Sequence, residues 1–193
     1  MAKPRVTRRD VLKTGAAALA LPAFLSRSVL GASEKIKVAV IGLGGRAGGV
    51  LAESRGIATN MQIVAVADCF APRIGAFINA HGQGQSWKGY EDFRKMIEEQ
   101  KPEGVMVETT THARGWITIL AMQAGMDVYI EKPMCLTIAE GRAMVKAARK
   151  LNRVTQVGTQ QRSMPINNWA SDLVKNGAIG KITTVLAPNF VSP

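Results

Sequence analysis

Cysteine, histidine and long apolar runs are all scarce in this chain of 193 residues. The two cysteines, Cys69 and Cys135, lack the paired spacing of a zinc site or a redox motif. Two thiols cannot build a disulfide framework, so at most one bridge is open to them. The most apolar stretch, Gly15 to Leu25, falls short of the roughly 20 residues that cross a bilayer. Aromatic residues make up 5% of the chain, and no basic run is interleaved with them, which argues against a nucleic-acid surface. The net charge of +11 does not reopen that reading, because +5 of it lies in residues 1–31 and the rest is scattered. There is no internal repeat and no low-complexity tract. With 47% hydrophobic and 20% charged residues, the composition suits a soluble globular protein of one domain, or one and part of another.

The N-terminal charge has an arrangement. A basic segment with Arg8-Arg9 precedes the Gly15–Leu25 stretch, and small residues lead on to Gly31-Ala32. Those are the parts of a secretory signal, with cleavage expected near Gly31 or Ala32. Thr7-Arg8-Arg9-Asp10-Val11-Leu12-Lys13 resembles the twin-arginine export signal, with Val11 where that pattern prefers Phe. The resemblance implies the export machinery as a partner, a periplasmic location and passage in the folded state, often with a cofactor inside. An amphipathic or uncleaved anchoring helix is the other reading, and Arg27 behind the apolar run favours retention.

From Ile36 onward short Val- and Ile-rich runs alternate with amphipathic segments, the βαβ rhythm of a parallel sheet covered by helices. Strands are expected at 36–41, 62–67, 105–108, 127–130 and 154–157, and helices at 47–53, 72–79, 90–99, 114–124, 138–152 and 166–176. Gly125 should end one helix, and Thr137 with Glu140 should open the next as a capping box. Residues 81–86 read as a loop. A further strand is expected to begin at Lys181, so the chain reads as the front part of a longer two-domain protein.

"VAVIGLGGRAGG" carries the first functional signal. Gly42-Leu43-Gly44-Gly45-Arg46-Ala47 is G-x-G-x-x-A between a strand and a helix. The first glycine permits the tight turn, the second lets a pyrophosphate approach the backbone, and the small third residue lets helix and strand pack. The helix N-terminus adds free N–H groups and a positive dipole end. Taken alone the glycines could equally form a bare turn. Asp68, which ends the second strand 24 positions after Gly44, is the companion that favours a dinucleotide: its carboxylate can accept ribose hydroxyls and would repel a 2′-phosphate. That points to NAD over NADP. Asp68 could also serve as a helix N-cap.

"DVYIEKPM" ends the fifth strand in Glu131-Lys132-Pro133, where strand carboxyl ends face the ligand crevice. Burial there beside a cationic ring would lower the lysine's pKa toward a useful range. A surface lysine opening a loop is the plainer alternative. These motifs, with "AMQAGMDVYIEKP", "TQVGTQQRS" and "GAIGKI", together resemble the Gfo/Idh/MocA oxidoreductases, in particular an exported branch. The resemblance implies an α/β architecture: a Rossmann-type doubly wound parallel sheet over 32–158 behind the signal of 1–31, with 159–193 starting a second, substrate-binding domain. It implies hydride transfer between NAD and a sugar, inositol or related polyol, and a homo-oligomer at full length.

Carried onto this sequence, the resemblance assigns Gly42, Gly44, Gly45, Arg46 and Ala47 to the pyrophosphate turn and Asp68 to the ribose. It assigns Thr109, His112, Glu131 and Lys132 to the cofactor crevice, Lys132 to catalysis, and Lys132 with Arg162 to the substrate. It implies a cis peptide before Pro133 and no metal. Two departures stand out. Thr109-Thr110-Thr111-His112 replaces the family's Thr-Pro-x-His, and Arg114 stands where many members have a second histidine. His112 could equally be an ordinary loop histidine. Neither His81 nor His112 matches the Asp/His pair that the family draws from its second domain. An NAD-dependent glycosidase of the same fold, or an inactive dinucleotide-binding chain, are the alternatives that the sequence leaves open.

Overall fold

A computed structural model describes residues 35–58 and 60–186. The export address read from residues 1–31 lies outside them. The element order is β1 (Ile36–Ile41), α1 (Gly45–Arg55), β2 (Met61–Ala67), α2 (Ala71–His81), β3 (Lys88–Tyr90), α3 (Phe93–Gln100), β4 (Gly104–Val107), α4 (Thr111–Gln123), β5 (Asp127–Glu131), α5 (Ile138–Leu151), β6 (Thr155–Gly158), a 3-10 turn (Gln160–Ser163) and α6 (Pro165–Lys175). The six strands are all parallel, in the order β3-β2-β1-β4-β5-β6. This is the doubly wound dinucleotide-binding topology, with its switch point between β1 and β4.

Alternation along the strands divides the core in two. On one face Ala39, Ile41, Ala65, Ala67, Val105, Val107, Val128 and Ile130 pack with Met96 of α3, Ile117, Ala121 and Met122 of α4, and Met144 of α5. On the other, Val40, Ile63, Val66 and Met106 pack with Ala47, Val50 and Leu51 of α1 and Phe77 of α2. Strands covered on both faces need apolar residues at successive positions, which is why they read as continuous runs. Gly48 lets α1 approach α2 so closely that a Cβ there would sit 2.6 Å from Nε2 of His81. His81 also stacks on the Phe77 ring, at 4.6 Å, so this histidine is used in packing.

The expected strands and helices are present with ends shifted by a few residues, and β3 is an addition. Lys88-Gly89-Tyr90 has no β-branched residue, and the expected helix at 90–99 begins at Phe93 because Asp92 caps it, accepting the N–H of Arg94 at 2.9 Å. Gly125 has φ +90, as a helix-ending glycine does. The capping box is complete: Thr137 accepts the Glu140 N–H at 3.2 Å and Glu140 returns to the Thr137 N–H. The strand expected from Lys181 is not formed; a strand needs a hydrogen-bonding neighbour, and none of the described residues pairs with 182–186. Helix α6 buries none of its residues and leaves Ile166 and Trp169 exposed. Both cysteines are free thiols, Cys69 exposed and Cys135 half-buried. Among the described residues no helix is long and apolar enough to cross a membrane.

Thr137→Ala removes one half of the capping box. We expect a loss of about 1 kcal/mol in urea unfolding, and an unchanged midpoint would show that α5 does not depend on its cap.

Candidate active-site crevice

Sheet hydrogen bonding continues one residue past the strand ends, and this builds the site. The Gly42 N–H donates to the Ala67 carbonyl at 2.8 Å, the Asp68 N–H to Tyr90 at 3.1 Å, and the Glu108 N–H to Ile41 at 2.8 Å. Gly42, Asp68 and Glu108 therefore stand side by side at the switch point. They line one cavity of about 560 Å³, which Gly44, Thr109 and His112 also border.

Gly42 has φ +88, and a Cβ on it would come 2.6 Å from the Thr109 nitrogen, so both conformation and space demand glycine. Around Gly44 and Gly45 the situation is reversed, because a Cβ on either would meet no atom within 4 Å. Gly44 is the N-cap of α1 and supplies no side-chain cap, and the first turn of the helix holds no acidic residue. A bare, uncapped helix start beside an open cavity is a cradle suited to a pyrophosphate. Ala47 is fully buried against the sheet, the packing role expected of the third position.

Asp68 is buried, and its carboxylate locks the turn. Oδ2 accepts the Leu43 N–H at 2.8 Å, Oδ1 accepts the Phe70 N–H at 2.9 Å, and Nη1 of Arg73 lies 3.4 Å from each oxygen. The N-cap of α2 is Phe70, so Asp68 is not that helix's cap. A carboxylate offers about four lone-pair sites; two are taken by main-chain N–H groups and the other two meet only the 3.4 Å contacts of Arg73, so a ligand hydroxyl would compete with Arg73 there. Arg73 was not legible as a site residue in the sequence.

A second group of charges lies beneath the crevice. The register pairs Val107 with Ile130, which brings Glu108 and Glu131 onto the next rung of β4 and β5. Glu131, 2% exposed, accepts Nε of Arg46 at 3.2 Å, and Nη1 of Arg46 reaches Glu53 at 3.4 Å. Buried Arg114 donates Nη1 to the Pro133 carbonyl at 2.7 Å. The departure at position 114 thus clamps the Glu-Lys-Pro loop. Glu108 is 6% exposed and neither of its carboxylate oxygens has a hydrogen-bond partner. Burial, and then the charge of Glu131, push its pKa up to about 7, against a weaker pull from Arg46 and Arg114. Glu108 is a strand end that sequence reasoning passed over. A carboxylate closing the apolar run "VMV" was the available signal.

The remaining expected residues are placed differently. The Lys132–Pro133 peptide is cis. Lys132 is exposed and lies outside the lining of the cavity, so the burial expected to tune it is not found; one residue past β5 the chain has already left the core. Arg162 lies exposed in the 3-10 turn, also away from that lining. His112 borders the cavity with Nδ1 3.0 Å from Thr110 Oγ1. Among the described residues no group of three or more His, Cys, Asp or Glu could hold a metal ion.

The chain matches the model of the Gfo/Idh/MocA family, described as an oxidoreductase family with an NAD-binding Rossmann fold, over residues 36–159. It is 29% identical over 155 residues to D-glucoside 3-dehydrogenase of Escherichia coli, covering 80% of this chain and 43% of that protein. The crystal structure of myo-inositol 2-dehydrogenase from Lactobacillus plantarum superposes with a TM-score of 0.70 at 26% identity, over 77% of this chain and 43% of that one. The WlbA dehydrogenase of Bordetella pertussis, solved with NADH and UDP-GlcNAcA, shares the fold with a TM-score of 0.70 at 21% identity, over 76% of this chain and 44% of that one. The chain thus spans less than half the length of these relatives.

The raised pKa of Glu108 has a stability consequence. The folded state holds a proton that the unfolded chain releases near the ordinary value of 4.5, so stability falls as pH rises from 4.5 through about 7. Glu108→Gln should remove that decline, giving a higher melting temperature than wild type at pH 8 and little difference at pH 4.5. Parallel melting profiles across this range would contradict the burial of an ionisable carboxyl.

Proposed function

The chain belongs to the Gfo/Idh/MocA family of oxidoreductases with an NAD-binding Rossmann fold, and from that premise we propose that it binds NAD and serves hydride transfer on a sugar, inositol or related polyol. The observation that carries the reading is the alignment of Gly42, Asp68 and Glu108 around one cavity, beside an uncapped helix start with room above Gly44 and Gly45. The dehydrogenase names of the relatives, D-glucoside and myo-inositol, support the substrate class.

In this reading the N–H groups of Gly44, Gly45 and Arg46 bind the pyrophosphate, with the helix dipole behind them. Arg46 stays tied to Glu131, so the phosphate-binding turn and the Glu-Lys-Pro loop are held as one unit. Asp68 accepts hydroxyls of the adenosine ribose. Its charge, set at the same place, disfavours a 2′-phosphate, which supports NAD over NADP even with Arg73 alongside. Thr109 and His112 border the bound nucleotide. The nicotinamide supplies the carbon that takes or gives the hydride. Lys132, exposed one residue past β5, orients the substrate hydroxyl and handles its proton. Arg162 supports the substrate side from the segment after β6.

The wider assignments are part of the same proposal. Thr7 to Lys13 reads as a twin-arginine address, which supports export to the periplasm, with an uncleaved anchor as the variant form. Residues 159–193 read as the start of a substrate domain, and the family resemblance supports a homo-oligomer.

Asp68→Ala should weaken NAD binding at least tenfold in a calorimetric titration, the scale of lost charge-assisted hydrogen bonds. Lys132→Ala should leave NAD affinity within about twofold while lowering turnover of a polyol substrate by two or more orders of magnitude, in the range of acid–base catalysis. Undiminished NAD affinity in the first variant would remove Asp68 from the ribose site, and full turnover in the second would remove Lys132 from catalysis.

A further inference from the structure

Past Asp68 the cavity continues to an aromatic wall that no role so far uses. The sheet puts its stations in order: the glycine turn follows β1, Asp68 follows β2, and Glu91 to Arg94 follow β3, the next strand outward. A nucleotide with its pyrophosphate at the turn and its ribose at Asp68 must carry its base onward, to the third station. There Phe93, the first residue of α3, meets Trp116 of α4 edge-to-face, with ring centroids 5.3 Å apart. Both residues border the cavity, and Trp116 shares that border with His112, Ala113 and Ile117, a spacing that puts all four on one face of α4. The two rings differ in exposure. Phe93 packs into the core with Met96, whereas Trp116 is 48% exposed. An indole braced by one ring and left half open is a flat, polarisable surface for another ring.

The charges at this end do not compete for that surface. Arg94 closes on Asp92 through Nε at 2.9 Å and Nη2 at 2.7 Å, and Arg73 pairs with Asp68. Glu91 also borders the cavity and disfavours an anion there, so the third station suits a flat, uncharged group. Resting on the nucleotide reading above, we propose that Trp116 is a ligand-binding residue whose indole stacks on the adenine base of the bound nucleotide, with Phe93 holding the indole in place. An indole that served only to pack against neighbouring protein would not respond to the base.

The test is a titration of the full-length protein with ADP, which carries base, ribose and both phosphates but no nicotinamide, and with NAD, followed by calorimetry and by tryptophan fluorescence. ADP should quench or shift the emission of wild type. The other two tryptophans lie outside the cavity lining: Trp87 is buried with Nε1 donating to Gln85 at 3.1 Å, and Trp169 is on α6. The optical response should therefore vanish in Trp116→Phe, which keeps a stacking ring and should bind ADP within about fivefold of wild type. Trp116→Ala should weaken ADP and NAD alike by about five- to a hundredfold, the range of one lost base stack. In turnover it should raise KM for NAD and leave kcat within about twofold. Wild-type ADP affinity in Trp116→Ala would overturn the proposal and leave the nucleotide reading standing, as would an unaltered fluorescence response in Trp116→Phe. Equal losses in the two variants would also overturn it, by assigning the effect to local packing. NAD binding without ADP binding would place the base elsewhere and overturn the proposal alone. Failure of both ligands to bind wild type would overturn both readings.

Discussion

The site depends on three backbone hydrogen bonds that carry the sheet one residue past its strands. They fix Gly42 against Ala67, Asp68 against Tyr90 and Glu108 against Ile41. Main-chain bonds in a parallel sheet set position without regard to side chain, so each strand end delivers whatever residue follows it to the same line. Here that line holds a glycine, an aspartate and a glutamate. The side chains then reinforce it: the Asp68 carboxylate ties down the Leu43 N–H, so the turn over the helix start is held by the acid proposed to grip the sugar.

The buried charges extend this rigidity to the next strand. Arg46 belongs to the glycine turn but bonds to Glu131 of β5, and Arg114 of α4 holds the carbonyl of Pro133. Arg46 thus couples the glycine turn to β5, and Arg114 couples α4 to the Glu-Lys-Pro loop, through guanidinium groups whose planar donor forks suit such bridging better than lysine would. Truncating Arg46 would strand the buried Glu131 carboxylate, a cost of several kcal/mol. Glu108 stands within this network without a partner for either carboxylate oxygen, and Nη2 of Arg46, Nε of Arg114 and Oε1 of Glu131 are also buried without one.

Much of this was legible in the sequence because it is local. A Val- and Ile-rich run followed by G-x-G-x-x-A specifies strand, turn and helix within a dozen residues, and Thr137 with Glu140 announces a helix start by chemistry alone. What escaped was non-local. The three residues of β3 include no β-branched side chain and are held as a strand by pairing with β2. The proximity of Glu108 to Glu131 depends on strand register; the Arg73–Asp68 pair is close in sequence but depends on the direction in which α2 leaves its turn. Lys132 misled in the opposite sense. Its place after a buried strand suggested burial, but the chain turns outward at the very next residue.

The central claim is that the backbone above Gly44 is bare because a pyrophosphate occupies that space. It is tested most directly by Gly44→Val, since a Cβ there meets no protein atom within 4 Å and the local φ of −71 suits valine. Unfolding and NAD titration of this variant should be measured together. The account predicts stability within about 1 kcal/mol of wild type, with NAD binding lost. Wild-type NAD affinity in a folded Gly44→Val protein would contradict it.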